Sequence, residues 1–219
     1  MDAQQLFRLI QASTASQKEA MVQLEECERL DGFLGALLTI MSITEEGIRA
    51  FDPAAASSLG EVRLLGVISI KNLVRRCWNS NRGGDRGGDT SQQFEKGQQN
   101  QQSRFLTNDE KNLLKQYLSS EQVIDKDDRV ARQLCSLVGM VAKTDWPQGW
   151  PDLIPNIIER LGSPLSIITI AAESNLSTTS DEGRTALFRE LTHLYKCLCV
   201  LGEVLDVLAT KRLPQARRD

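Results

Sequence analysis

Aromatic side chains are scarce in this chain: three Trp, two Tyr and six Phe make up 5% of 219 residues. β-Sandwiches and barrels draw on aromatic and β-branched residues, so the shortage points away from them. Histidine occurs once, at His193, and the five cysteines (Cys27, Cys77, Cys135, Cys197, Cys199) form neither a CxxC pair nor a zinc-ligand spacing. Cys197 and Cys199 stand two apart, which turns them to different sides of a helix. The cysteines read as reduced, mostly buried side chains of an intracellular protein, and no metal or other cofactor is expected. Neither sign of charge is in excess: 26 Lys and Arg against 29 Asp and Glu leave a net charge of −3. Such a chain has no basic field for specific nucleic-acid binding. Long apolar runs are missing too. Phe33 to Ile43 is too short to cross a bilayer, and Met1 to Ala12 lacks the charged start and apolar core of a secretory signal. A soluble protein of the cytosol or nucleus, with no membrane partner, is expected.

What the chain does have is Leu at helical spacing. Leu6, Leu9 and Ile10 give one apolar face to a first helix. Ser16 and Glu19 have the spacing of a capping box, and Ala20, Leu24 and Cys27 follow as the inner stripe of a second helix, ended by Asp31-Gly32. Phe33 to Ile43 makes a third helix, with Glu45 to Phe51 as a short continuation. Asp52-Pro53 and the small residues to Ser58 read as a loop. Leu59 to Trp78 is a long helix, apolar on most sides, which calls for burial between neighbours. Thr107 and Glu110 form another capping box, opening a helix over Asn108 to Ser119 with Leu113, Leu114 and Leu118 inward. Asp127-Asp128 places negative charge at the start of a helix from Arg129 to Lys143, whose core face is Val130, Leu134, Leu137, Val138 and Val141. Asp145 to Asp152 breaks that helix, Trp150 to Leu161 is helical again, and Arg184 to Thr210 is one long or kinked helix.

Two stretches interrupt the pattern. Residues 79–104 are rich in Gly, Gln, Asn and charge, too polar to offset the entropy of ordering, and read as a disordered insertion. Arg82-Gly83-Gly84 and Arg86-Gly87-Gly88 resemble RGG elements that hold RNA loosely, but aspartates interrupt them and a solvated loop is the simpler reading. Residues 162–182 are Ser- and Thr-rich and read as a second insertion or loop. Lys211 to Asp219 is basic, contains Pro214 and reads as cut off in mid-architecture. Helix pairs recur at roughly forty residues, as in HEAT arrays, and one such pair cannot bury its own core. Periodicity alone leaves a closed helical bundle open. The expected organisation is 1–78 as repeats one and two, 79–106 as the low-complexity insertion, 107–161 as repeat three and the start of repeat four, 162–182 as insertion or loop, and 183–219 as the last helix and end.

Two motifs separate stack from bundle. In the stretch from Arg63 to Trp78, the residues Arg63, Ile70, Lys71, Asn72 and Trp78 match a pattern of the form R-x-x-A-x-x-x-[LI]-K-N followed by Trp. Gly66 stands where Ala is usual and keeps the small size, at a propensity cost of about 1 kcal/mol. In the stretch from Asp145 to Pro155, Asp145, Trp146, Pro147, Trp150, Pro151 and Asp152 form a turn similar to D-x-P-x-x-W-P-x-L. There Pro147 ends one helix and Pro151 is expected in the first turn of the next, where its missing amide costs nothing. Both motifs, in this order, resemble the N-terminal region of the importin-β superfamily of nuclear transport receptors, the karyopherins. The segment Leu208 to Pro214, with Arg217-Arg218, is most similar to the importin eleven branch.

The resemblance implies an all-α, right-handed α-solenoid of HEAT-type helix pairs. It further implies a monomeric receptor that binds Ran in its GTP state and carries protein cargo through nuclear pores, with cargo and nucleoporins held by later repeats. The helices near 16–29, 60–78 and 128–143 would line the Ran-binding surface. Lys71 and Arg75, four apart on one helical face, are the leading Ran contacts together with Asn72, with Arg76 and Arg129 behind them. Asn72 could equally satisfy an inter-helix hydrogen bond. Trp78, Trp146 and Trp150 read as wedges between helices, and Asp145 and Asp152 as helix caps. His193 is isolated beside Leu194, and the glycines at 83–88 lack the Lys of a phosphate loop, so no enzyme is expected. The competing classes are a Ran-independent helical scaffold and an RNA-associated factor.

Overall fold

The computed structural model describes residues 2–14, 18–51, 55–78, 105–121, 127–173 and 181–210. Among them the regular structure is helix without strand: α1 (Ala3–Thr14), α2 (Lys18–Cys27), α3 (Phe33–Ser42), α4 (Glu45–Phe51), a 3-10 turn (Ala55–Ser58), α5 (Leu59–Cys77), α6 (Asn108–Leu118), α7 (Asp128–Asp145), α8 (Leu153–Glu173) and α9 (Asp181–Thr210). The all-α expectation holds. The insertion at 79–104, the Ser16 cap, Asp52-Pro53 and the basic end at 211–219 lie outside the described residues. The chain divides into two compact units, Met1–Leu114 and Lys115–Asp219.

In the first unit α1 packs on α2, α3 and α5, and α3 packs on α5. Helix α1 buries Leu6, Phe7 and Ile10, while Leu9 is only half-buried. Helix α2 buries Ala20 and Leu24 and stops at Cys27. Gly32 has φ 80 and ψ 0, a left-handed conformation that a side chain would strain. It turns the chain into α3, where Phe33, Leu34, Leu37 and Ile40 are fully enclosed.

Helix α6 starts as its sequence predicts. The Glu110 amide donates to Thr107 Oγ1 at 3.2 Å, and the Thr107 amide donates back to Glu110 Oε2 at 3.0 Å. Leu114 and Leu118 are buried as expected, but Leu113 is 43% exposed. The inward stripe is Leu114, Tyr117 and Leu118, spaced by three and four residues; Leu113 sits about a quarter-turn away from it.

The second unit is built on α7 and α9. Val130, Leu134, Leu137, Val138 and Val141 of α7 are fully buried, as the pattern predicts. Each such side chain contributes about 1.5–3 kcal/mol by leaving water. The Asp128 end of α7 meets Lys196 (Oδ1 to Nζ, 3.1 Å), and a Cβ on Gly139 would lie 3.3 Å from Val207 Cγ2 and 3.5 Å from the Glu203 carbonyl oxygen. Both contacts advance in the same sense along the two helices, so α7 and α9 run parallel, and glycine lets them approach closely. Helix α8 packs on α9 and supplies the return stroke between them.

Here two expectations change. The break predicted after Leu161 is absent, because α8 continues to Glu173 with Pro164 inside it. The apolar run Leu165 to Ala172 adds turns to the same helix, so 162–173 is helix rather than loop. Pro151 is not in the first turn of α8, which begins at Leu153; it lies in the preceding turn, where a missing amide is equally harmless.

Helix α7 begins with Asp127 at its N-cap, where Oδ1 accepts the Arg129 amide at 2.8 Å. Hydrogen bonding from Arg129, foremost from its side chain, holds the Asp127 carboxyl below the usual carboxylate range. The ionised form is thus the bound one, and its stabilisation is present at neutral pH and fades as acid protonates the group. Asp127→Ala is expected to lower the stability of the chain by about 1 kcal/mol at pH 7, with Asp127→Asn recovering most of it, as read from urea melts.

Candidate functional site

Helix α5 carries the first motif and is anchored on its apolar sides. Leu59, Val62, Gly66, Val67, Ile70, Leu73, Val74 and Cys77 are buried. Arg63 Nη2 donates to the Ile43 carbonyl at 2.5 Å, closing the C-terminal end of α3. A Cβ on Gly66 would come within 3.3 Å of Met41 Sδ, so the small residue serves the contact with α3. Trp78 is buried at the end of α5 with the Lys111 ammonium 5.5 Å from its ring centroid, a cation–π arrangement. Arg63 and Trp78 are therefore packing residues.

The opposite side of α5 faces solvent. Ile68, Asn72 and Arg75 are exposed and Lys71 is half-buried, all on neighbouring rows at spacings of three and four. Asn72 is exposed, which puts its amide in water rather than in a buried inter-helix hydrogen bond. Arg76 is already engaged. Its guanidinium pairs with Glu28 in the turn after α2, and its Nε donates to the Asn72 carbonyl at 3.3 Å. Arg75 and Arg76 occupy the last turn, where cations suit the helix dipole.

Arg129 belongs to the second unit, and its guanidinium folds back onto Asp127 (Nη2 to Oδ2, 2.9 Å). Lys71, Asn72, Arg75 and Arg76 share one helix; Arg129 is held by a cap of its own.

The second motif forms the turn between α7 and α8. Trp150 is buried and Trp146 half-buried, and the Trp146–Pro147 peptide is cis. Asp145 is not a cap. It ends α7 and pairs with Lys115 Nζ at 2.5 Å, both side chains being largely enclosed. The same Nζ donates to the Gly149 carbonyl at 2.8 Å. Lys115 thus clamps both ends of the turn, a role its place in the α6 sequence did not signal, because the partner is distant along the chain. Asp152 precedes α8, and its carbonyl accepts the Asn156 amide at 2.9 Å.

Other reactive groups are dispersed. No cluster of three or more His, Cys, Asp or Glu side chains suited to a metal occurs among the described residues, and no described helix is long and apolar enough to cross a membrane. All five cysteines are free, with Cys77, Cys135 and Cys197 buried. Burial, and then the neighbouring Cys199 and Glu203, push the Cys135 thiol up to about 12. Ile157, Arg160, Cys197 and Val200 line a small dent between α8 and α9, and desolvation there lowers the Arg160 guanidinium from its ordinary value. Comparison with protein-family models, curated proteins and solved structures finds no match to this chain.

Two outcomes follow from these contacts. At pH 8 the Cys135 thiolate fraction is on the order of one in ten thousand, so iodoacetamide should leave Cys135 unmodified in the native protein and alkylate it only after denaturation, as seen by peptide mass mapping. Lys115→Met should destabilise the chain by about 2 kcal/mol, by stranding Asp145 in a largely enclosed site and freeing the Trp146–Asp152 turn; a change in near-ultraviolet tryptophan dichroism would report the latter.

Proposed function

We propose that this chain is the Ran-GTP-binding N-terminal region of an importin-β-type receptor that carries protein cargo through nuclear pores. The carrying observation is the row of half-buried Lys71 with exposed Asn72 and Arg75 on α5, a helix otherwise packed on α1 and α3. A rigid helix that shows a short basic-polar row is suited to a protein surface of opposite charge. Lys71 and Asn72 are residues of the motif that resembles the karyopherin repeat, and Arg75 stands one turn after Lys71. The parallel seating of α7 and α9, with α8 returning between them, supports the further reading that the pairs stack as HEAT-type repeats in a right-handed solenoid. In that reading Ran-GTP favours one curvature of the solenoid over the cargo-holding one, and nucleoporins and cargo bind through other repeats. The receptor works in nucleus and cytoplasm and uses no cofactor.

The test is binding to Ran loaded with GTP or GDP. The receptor reading expects binding that requires GTP and weakens as salt rises. Lys71→Ala with Arg75→Ala should raise the Kd by about tenfold or more. Binding that ignored the nucleotide would instead favour a Ran-independent helical scaffold, and a double variant with undiminished affinity would remove α5 from the contact.

A further inference from the structure

Two contacts fix the register of α9 on α7. Asp128 meets Lys196, and further along Gly139 lies against the Glu203 backbone. Cys135 stands four residues before Gly139, and Cys199 four residues before Glu203. A helical turn is about 3.6 residues, so one turn back along both parallel helices carries the Gly139–Glu203 contact onto Cys135 and Cys199. Helical side chains lean toward the N-terminus, and in parallel helices both lean the same way, which keeps the two sulfurs level. Cys135 is buried, and Cys199 and Glu203 both act on it electrostatically, as a seat between those two positions requires. Cys197 is turned to another side of α9, where it lines the dent against α8. A disulfide needs Cα atoms about 4.4–6.8 Å apart, a spacing that closely packed helices provide. The approach at Gly139 is of that kind, since a Cβ there would stand 3.5 Å from the Glu203 carbonyl oxygen.

We propose that Cys135 and Cys199 are a peroxide-responsive pair that closes into a reversible disulfide between α7 and α9. Their roles differ by exposure. Cys199 is half-buried and open to a small oxidant, whereas Cys135 is enclosed. In the first step the Cys199 sulfur attacks hydrogen peroxide; the O–O bond breaks, Cys199 becomes a sulfenic acid and water leaves. In the second step the Cys135 sulfur attacks the Cys199 sulfur. The S–S bond forms, the S–O bond breaks, and hydroxide departs with the Cys135 proton as a second water. Two thiols are oxidised and one peroxide is reduced. Burial makes Cys135 a poor nucleophile toward reagents in solution, but beside Cys199 the second step is intramolecular, and proximity offsets the small thiolate fraction. In a reducing compartment thiols return the pair to its free state, so the bond is transient. It lies within one chain and inside the second unit. It is therefore compatible with a monomer whose helix pairs stack onward, and it stands or falls independently of Ran binding.

The test treats the full native chain with hydrogen peroxide, denatures it in iodoacetamide, isolates the monomer band by non-reducing electrophoresis and maps its peptides by mass. The expected result is a Cys135 peptide joined to a Cys199 peptide, lighter by two hydrogens than their sum, and released by dithiothreitol. This link should exceed any other cysteine pairing by more than about tenfold. Cys199→Ser should leave Cys135 reduced. Cys135→Ala should leave Cys199 as a sulfenic acid that dimedone captures, and Cys197→Ser should change neither outcome. Helical dichroism matching that of the native chain shows that each variant is folded, and where one is not, the native map decides alone. A native chain that stays wholly reduced overturns the proposal. So does one in which Cys199 passes to sulfinic acid while Cys135 is still alkylated after denaturation. A dominant link to Cys197, or Cys135 oxidised as readily in Cys199→Ser, overturns it as well.

Discussion

A helix that is apolar around most of its circumference cannot be satisfied by one neighbour, and this constraint organises the first unit. Helix α5 meets it by lying against α1 and α3 at once, with Gly66 set against Met41 so that α3 can come close. Helix α7, apolar on one face, buries that face against α9, seated in parallel where Gly139 removes the side chain that would hold them apart. Leu is abundant in such helices because it keeps good helix propensity while offering a large apolar surface. The polar residues that remain can then be concentrated into narrow rows, and the Lys71–Asn72–Arg75 row is one of them. Its rigidity comes from the burial behind it.

Charged groups in this protein do two kinds of work, separated by exposure. Arg63, Lys115 and Lys196 carry their charges into enclosed places and spend them on carbonyls and carboxylates: Ile43, Gly149 with Asp145, and Asp128. Each joins the end of one element to another, and Arg63 and Lys115 do so in part through backbone carbonyls at those ends. Arg75 points to solvent, and Arg76 is intermediate in kind, exposed yet tied to Glu28. The basic residues of α5 are therefore not equivalent, although their sequence positions suggest one cluster.

Helix positions were largely legible from periodicity and capping chemistry. Asp127 and the Thr107–Glu110 pair mark helix starts because their signals are local, within three residues. The core face of α7 was legible because five apolar residues fall on one stripe. The errors are also physical. Phe7 and Tyr117 are core residues that the leucine periodicity does not single out, because burial depends on what lies opposite. The passage through 162–173 reads as loop because serine and an internal proline lower local propensity, whereas α8 runs through it to Glu173. On α5 the row Lys71, Asn72 and Arg75 could be read from spacing, but the diversion of Arg76 to Glu28 and of Arg129 to Asp127 could not, since both depend on side-chain conformation.

The reciprocal bonds between Thr107 and Glu110 make the start of α6 self-contained. The helix takes its first turn from its own residues and asks nothing of the chain before it. Whatever joins Trp78 to Phe105 is thereby released from specifying where the next helix begins. A start fixed by its own residues lets the sequence ahead of Thr107 change over generations at little cost to α6 itself.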